Sequence, residues 1–349
     1  MKYAIQILFS IFLISLISCS NNENNTQTKD TSEADKALLE KGNTYFSALP
    51  LIAKNPDNIK SKEKIDLGHK LYFDTQLSKD QTISCNSCHD LATYGVDREA
   101  TSLGDDGGRG DRNSPTVLNA ALHTTQFWDG RSKDVEEQAG LPILNPVEMA
   151  IPNEAFLVDR LKQDSEYPEL FKNAFPDQED PLTYENIRLA ISLFERELLT
   201  PSPFDVFLKG DLAALNDKQK EGLNDFVEVG CITCHSGPLL GGNMLQKFGV
   251  YGDYWEHTQS SAIDEGRFKE TKKESDMYMF KVPSLRNISE TYPYFHDGSV
   301  ASLKDAIQIM SEVQLNKTLS PEQVDNINEF LISLTAKDGV KKEYQTAPI

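Results

Sequence analysis

Two short motifs constrain this chain more than anything else in it: Cys85-Asn-Ser-Cys88-His89 and Cys231-Ile-Thr-Cys234-His235. Each puts two thiols a single turn apart and a histidine immediately after them. In an exported chain that pattern reads as covalent attachment of haem c, with both thiols bonded to the porphyrin edge and the histidine beneath the ring as proximal iron ligand. A zinc ribbon wants its pairs about 15–20 residues apart, whereas 142 residues separate Cys88 from Cys231. A thioredoxin-like site needs one pair in a βαβ setting, and neither pair has it. Two haems are expected.

Export is written at the start of the chain. Lys2 precedes an almost wholly apolar run from Tyr3 to Ile17, too short and too early for a membrane span of about 20 residues. The run closes Leu16-Ile17-Ser18-Cys19, similar to a bacterial lipoprotein signal. Residues 1–18 are therefore expected to be a signal peptide, with Cys19 becoming the lipid-modified first residue. The polar stretch 19–40 is expected to be a flexible tether holding the protein on a membrane face of the periplasm.

With 35 basic and 54 acidic side chains the formal charge is −19. Nucleic-acid phosphates would repel such a chain, so that class of partner is excluded. An acidic surface suits a small basic protein arriving by electrostatic steering.

The body of the chain repeats itself. Pro115-Thr-Val-Leu-Asn119 leads to Phe127-Trp128-Asp129-Gly130, and Pro283-Ser-Leu-Arg-Asn287 leads to Phe295-His296-Asp297-Gly298, with 14 residues from proline to aspartate in both. Trp128 and His296 thus hold equivalent places. Helical signals dominate: an apolar stripe over 183–199, Asn216 with Gln219 opening a helix that runs toward Cys231, Ser302 before Leu303, and the capping box Ser320-Pro-Glu-Gln323. The expected fold is mainly α, two cytochrome c-type haem domains packed face to face. Their boundary is expected near Thr200-Pro-Ser-Pro-Phe204, giving domains 41–203 and 204–349.

Function turns on the sixth iron ligand: two protein ligands suit electron transfer, with methionine raising the potential, whereas peroxide chemistry needs an open position. For the second haem Met310 shares a helix face with Leu303, Ala306 and Ile307; Met244, Met277, Met279 and His257 are rivals. The first haem has no evident partner. The Gly104–Gly110 segment reads as flexible and polar, and no Gly-Lys-Ser/Thr follows it, so it is no phosphate loop.

Several longer motifs carry a resemblance. Leu67-Gly-His-Lys-Leu-Tyr-Phe-Asp74, Ser84-Cys-Asn-Ser-Cys-His89, Gln126-Phe-Trp-Asp-Gly-Arg131, Pro146-Val-Glu-Met149, Gly230-Cys-Ile-Thr-Cys-His235 and Pro293-Tyr-Phe-His-Asp-Gly298 together resemble the bacterial di-haem cytochrome c peroxidase family, from about residue 45 to 336. The resemblance implies reduction of hydrogen peroxide with electrons from a small cytochrome c or similar donor. It implies a peroxidatic N-terminal haem on His89, with Glu148 and Gln138 as distal acid–base pair, and a C-terminal electron-entry haem ligated by His235 and Met310. It further implies Trp128 between the haems and an interdomain calcium held by Asn113, Thr291 and Pro293, the last two through backbone carbonyls. Met310 falls 14 residues after His296, as the family pattern requires. A homodimer is compatible with this reading.

The chain departs from the family in one place: Asp105 stands about where many members carry a histidine that caps the resting first iron. Asp105 and Asp106 are expected to be hydrated and Tyr94 would have to lose its proton to bind well, so the first iron is expected to be five-coordinate or water-bound, with His123 the cap should a hidden one exist. Two rival functions are a di-haem oxidase that matures a partner protein and a plain electron carrier. The former carries tyrosine where this chain has Met310. His69, His123, His257 and His296 are expected in hydrogen-bonded structural roles.

Overall fold

The computed structural model describes the backbone of residues 23–348, with side chains from residue 33 onward. The signal segment and Cys19 lie outside the described residues. The fold is mainly helical; among the described residues the strands amount to one antiparallel pair, Leu245–Lys247 against Met279–Lys281. No described helix is long and apolar enough to cross a membrane.

Where a tether was expected, a helix runs from Glu23 to Tyr45. Its C-terminal half has something to dock on. Leu38 and Leu39 pack against the apolar cluster around Phe226, while Lys220 reaches Asp35 at 2.6 Å and Lys41 binds Asn224 at 2.9 Å. Polar composition hid two leucines that a neighbouring helix buries.

Two helix pairs form the frame, built on one plan. Lys62–Phe73, capped by Ser61, crosses Tyr184–Glu195, capped by Thr183. Asp217–Val229, with the Asn216/Gln219 capping box, crosses Pro321–Ile332, with the Ser320/Gln323 box. A glycine sits at each crossing. A Cβ on Gly68 would stand 2.0 Å from the Ala190 carbonyl and 3.0 Å from Phe194 Cβ; on Gly222 it would stand 1.9 Å from the Asn326 carbonyl and 2.9 Å from Phe330 Cβ. The first pair buries Leu67, Leu71, Ile187 and Ile191 with Phe171; the second buries Leu223, Phe226, Ile327 and Phe330 with Phe204 and Phe207.

The sequence repeat is a structural repeat. Asn119 and Asn287 both adopt φ +61°, and each opens a short 3-10 turn, Ala120–Leu122 and Ile288–Glu290. Phe127 and Phe295 lie at φ +65° and +70° inside the bridged turns Gln126–Ser132 and Tyr294–Val300. Both asparagine amides donate to one hydroxyl, Thr200 Oγ1, at 2.8 and 2.9 Å. The expected boundary segment is therefore no exposed linker. Thr200 and Phe204 are fully buried, and Arg286 lies against Asp205 with Ser202 beside both.

Candidate active site

The first motif forms a single helical turn, Cys85–Cys88, opened by Ser84 in a capping box with Ser87. Both thiols are free, as are those of Cys231 and Cys234. Burial raises the Cys85 thiol well above its usual range, with Glu195 adding to it. Burial, outweighing a hydrogen bond from Ser102, pushes Cys88 up to about 11, and Asp97 and Glu148 add to it. Glu148 thus lies within the electrostatic reach of the first motif. His89 is half-buried, desolvation holds its imidazole below the usual range, and its carbonyl accepts from Tyr72 Oη at 2.6 Å.

The second motif follows Gly230, whose φ of +101° ends the helix before it, and winds Cys231–Thr233 into a 3-10 turn. Burial pushes Cys231 up to about 12. His235 Nδ1 lies 2.8 Å from the Leu240 carbonyl. A carbonyl only accepts, so Nδ1 carries the proton and the Nε2 lone pair is left for a metal. Cys231, Cys234, His235 and Met310 line one cavity, with Ile307 beside the methionine on the helix Leu303–Leu315. Free thiols, an oriented histidine and a facing thioether fit haem c.

The same cavity is lined by Trp128, Asn113, Thr291 and Pro293. Trp128 Nε1 donates to the Asn113 carbonyl at 2.8 Å, the Asn113 amide hydrogen meets the His296 carbonyl at 2.7 Å, and Asn113 Nδ2 donates to the Glu99 carbonyl at 2.9 Å. The three expected calcium donors thus border one cavity. Their oxygens come from an amide and two backbone carbonyls, which suits a hard cation; no cluster of three acidic, histidine or cysteine ligands occurs among the described residues.

Glu148 is half-buried and accepts from Asn145 Nδ2 at 2.7 Å. Burial raises its carboxyl above the usual range, opposed by Asn145 and the Arg131 guanidinium. Gln138 ends the turn Val135–Gln138, half-buried, and the adjoining Ala139 shares a core with Ile143 and Met149.

Three expectations need correction. Asp105 is not hydrated: it is 8% exposed, and burial of its carboxyl is outweighed by hydrogen bonds from Thr82 and Asp80, which hold it below the usual range. Its loop is not loose, since Leu103 bridges Arg109 and Gly104 bonds Gly108. Tyr94 gives its hydroxyl to the Ala336 carbonyl at 3.0 Å. Of the histidines, His69 stacks on Phe194 and bonds the Thr346 carbonyl, and His257 meets Glu312 at 3.3 Å. His123 is hydrogen-bonded through Nδ1 to Lys281, and both His123 and His296 keep a buried Nε2 without a partner.

Two buried ionisable groups had no sequence signal. Lys281, 5% exposed, donates to His123 Nδ1 at 2.9 Å and to the Trp128 carbonyl through its backbone at 2.6 Å; burial brings its ammonium down to about 8. Glu195, beside the Glu136–Arg196 ion pair, is raised to about 8 by burial and then by Glu136, so it is largely neutral at pH 7.

A mainly helical frame carrying two haem-attachment motifs and a methionine-lined cavity defines a di-haem c-type protein. A sequence model of the di-haem cytochrome c peroxidase family matches residues 62–213. The chain is 43% identical over 323 residues to the cytochrome c551 peroxidase of Pseudomonas aeruginosa, covering 91% of each chain. It is 45% identical over 288 residues to that of Nitrosomonas europaea, covering 82% of this chain and 83% of the relative. The methylamine utilization protein MauG of Methylorubrum extorquens is 32% identical over 281 residues, covering 80% and 76%. Among solved structures, a MauG-like protein associated with microbial copper homeostasis aligns with a TM-score of 0.75 at 28% identity, covering 86% of this chain and 97% of that one. The chain belongs to the di-haem cytochrome c peroxidase family: it is a haem peroxidase.

Proposed function

We propose that the chain reduces hydrogen peroxide to water with electrons from a small periplasmic donor such as a cytochrome c. Haem c held by Cys85, Cys88 and His89 and by Cys231, Cys234 and His235 would supply the redox chemistry, with electrons entering at the C-terminal centre and passing to the N-terminal one. The net reaction would take up two electrons and two protons to turn one peroxide into two waters. The single observation that carries the reading is Glu148: a half-buried carboxyl with a raised pKa, within electrostatic reach of Cys88.

The roles of the residues follow from their chemistry. His89 and His235 would each hold an iron, and Met310 would give the second one a thioether, which favours the reduced ion. Glu148 takes the first proton from peroxide and returns it to the departing oxygen, while Gln138 steadies the peroxide by hydrogen bonding. Trp128, hydrogen-bonded to Asn113 and bordering the second cavity, supplies the contact between the centres. Asn113, Thr291 and Pro293 hold calcium, with water completing its shell. The two centres belong to domains 41–203 and 204–349, packed face to face. Residues 1–18 export the chain, and lipid on Cys19 holds it at the periplasmic membrane face.

Steady-state consumption of hydrogen peroxide by the haem-loaded protein, with a reduced small cytochrome c as donor, tests the reading. Donor oxidation at two equivalents per peroxide supports it. Reduction of the protein without peroxide turnover would make it an electron carrier, and turnover only with a partner protein as substrate would make it a maturation oxidase.

A further inference from the structure

Three separated stretches meet beside the first motif. The Lys79 amide donates to the Met149 carbonyl and the Asp105 amide to the Glu148 carbonyl, both at 2.8 Å. The Asp105 carboxylate then turns back and accepts from the Asp80 amide at 2.6 Å, the Thr82 hydroxyl at 2.5 Å and the Thr82 amide at 3.3 Å. Gly104 presses against the same strip of backbone; a Cβ there would stand 2.3 Å from the Val147 carbonyl. The stretch 79–82 also runs directly into Ser84 and Cys85, and Arg160 fixes its approach by binding the Gln76, Ser78 and Lys79 carbonyls. A buried carboxylate with three inward donors is expensive to desolvate and gains nothing from solvent, so its hydrogen bonds have to carry a specific geometry.

The geometry points to Asp105 as a positioning residue: its carboxylate ties the segment leading into Cys85 to the loop whose backbone holds Glu148, so that Glu148 stays registered over the first motif. Asp105 touches no reacting atom. It acts through Glu148, and the inference rests on the reading of Glu148 as the proton acceptor. Asn145 donates to the Glu148 carboxyl, and Arg131 and Cys88 lie within its electrostatic reach. With the tie cut, the 103–109 loop loosens, water reaches Glu148, and its carboxyl moves back toward its ordinary range. Because the deprotonated form is the active one, the acid limb of kcat/KM then moves to lower pH. Misplacing a reacting group by a fraction of an ångström also lowers kcat.

Two variants of the haem-loaded enzyme test this. Asp105→Ala removes the acceptor outright. Thr82→Val removes one donor, leaves Asp105 in place, and is mild enough to keep the fold. Expected are a kcat lowered about tenfold or more in Asp105→Ala, a smaller loss in Thr82→Val, an acid limb displaced downward in both, and haem content unchanged. Hydrogen exchange followed by mass spectrometry gives a readout independent of turnover: peptides covering 79–83, 103–109 and 145–150 should exchange faster together. Exchange and pH profiles superimposable on the parent in both variants would overturn the proposal. Glu148→Gln run alongside separates the two levels. If it abolishes turnover while Asp105→Ala keeps the parent's pH profile, the tie is wrong; if it leaves turnover intact, the proton-acceptor reading has failed, and the positioning role in catalysis falls with it.

Discussion

A thioether and a carboxyl carry the sharpest single-residue predictions. Met310 shares a cavity with His235 and lies on the helix Leu303–Leu315, which the Ser302 cap opens. Met310→His would exchange a ligand that favours ferrous iron for one that does not, and axial-ligand choice spans about 0.8 V of haem potential. The higher of the two midpoint potentials should collapse toward the lower one in a spectroelectrochemical titration; an unchanged high-potential wave would remove Met310 as the ligand. Glu148→Gln keeps size and the Asn145 contact but abolishes proton uptake. Peroxide kcat should fall about 10²–10⁴-fold, with both haems attached and the second still reducible by the donor. Turnover within a factor of two of the parent would place the proton shuttle elsewhere. Neither residue announces itself by composition. Glu148 is one of 54 acids, and its raised pKa comes from burial against the opposing pull of Asn145 and Arg131, which sequence spacing cannot show.

At the scale of the element, the paired helices make the clearest claim. Gly222→Ala would drive a Cβ into the Asn326 carbonyl and Phe330, both of them backbone-anchored and unable to swing aside. Overpacking of this kind costs about 1–3 kcal/mol, and each kcal/mol lowers Tm by about 2–4 °C in a domain of this size. Gly110→Ala is the control, since a Cβ there meets nothing within 4 Å. Thermal unfolding of the two haem-loaded variants decides it; equal Tm values would mean that the helices can separate freely. Helices of this kind are legible in the amino-acid sequence where Asn216, Ser302 and Ser320 cap local hydrogen bonds that depend only on nearby residues. So is the repeat, since two Pro-x-x-x-Asn turns must build the same φ. The glycine-rich loop misleads for the converse reason. Glycine content reports local freedom, whereas what holds 103–109 is the distant carbonyl of Glu148 and the Asp80–Thr82 amides. The helix Glu23–Tyr45 escapes a local reading in the same way, its docking surface lying almost two hundred residues downstream.

Over the whole molecule the dominant fact is charge. An excess of 19 acidic groups creates a field that extends beyond any one contact, and oppositely charged partners meet such a surface about 10–10³ times faster than neutral ones do. The field is carried mainly by exposed carboxylates, because several buried ones are paired in place: Asp264 with Arg112, Asp205 with Arg286, Glu136 with Arg196. Salt should therefore act on arrival of the donor and leave the interior of the protein alone. With a basic small cytochrome as donor, kcat/KM is expected to fall about tenfold or more as ionic strength rises from about 10 mM, where the Debye length is about 30 Å, toward about 1 M, where it is about 3 Å. The loss should lie mainly in the donor's KM. Peroxide is uncharged, so its KM should stay constant over the same range and serve as the internal control. An acidic donor should show the opposite trend, slow at low salt and faster as screening removes the repulsion. Stopped-flow and steady-state titrations with one donor of each sign read this directly. A flat salt profile for both donors would mean that the acidic surface plays no part in recognition, and that docking rests on an apolar contact around the second cavity.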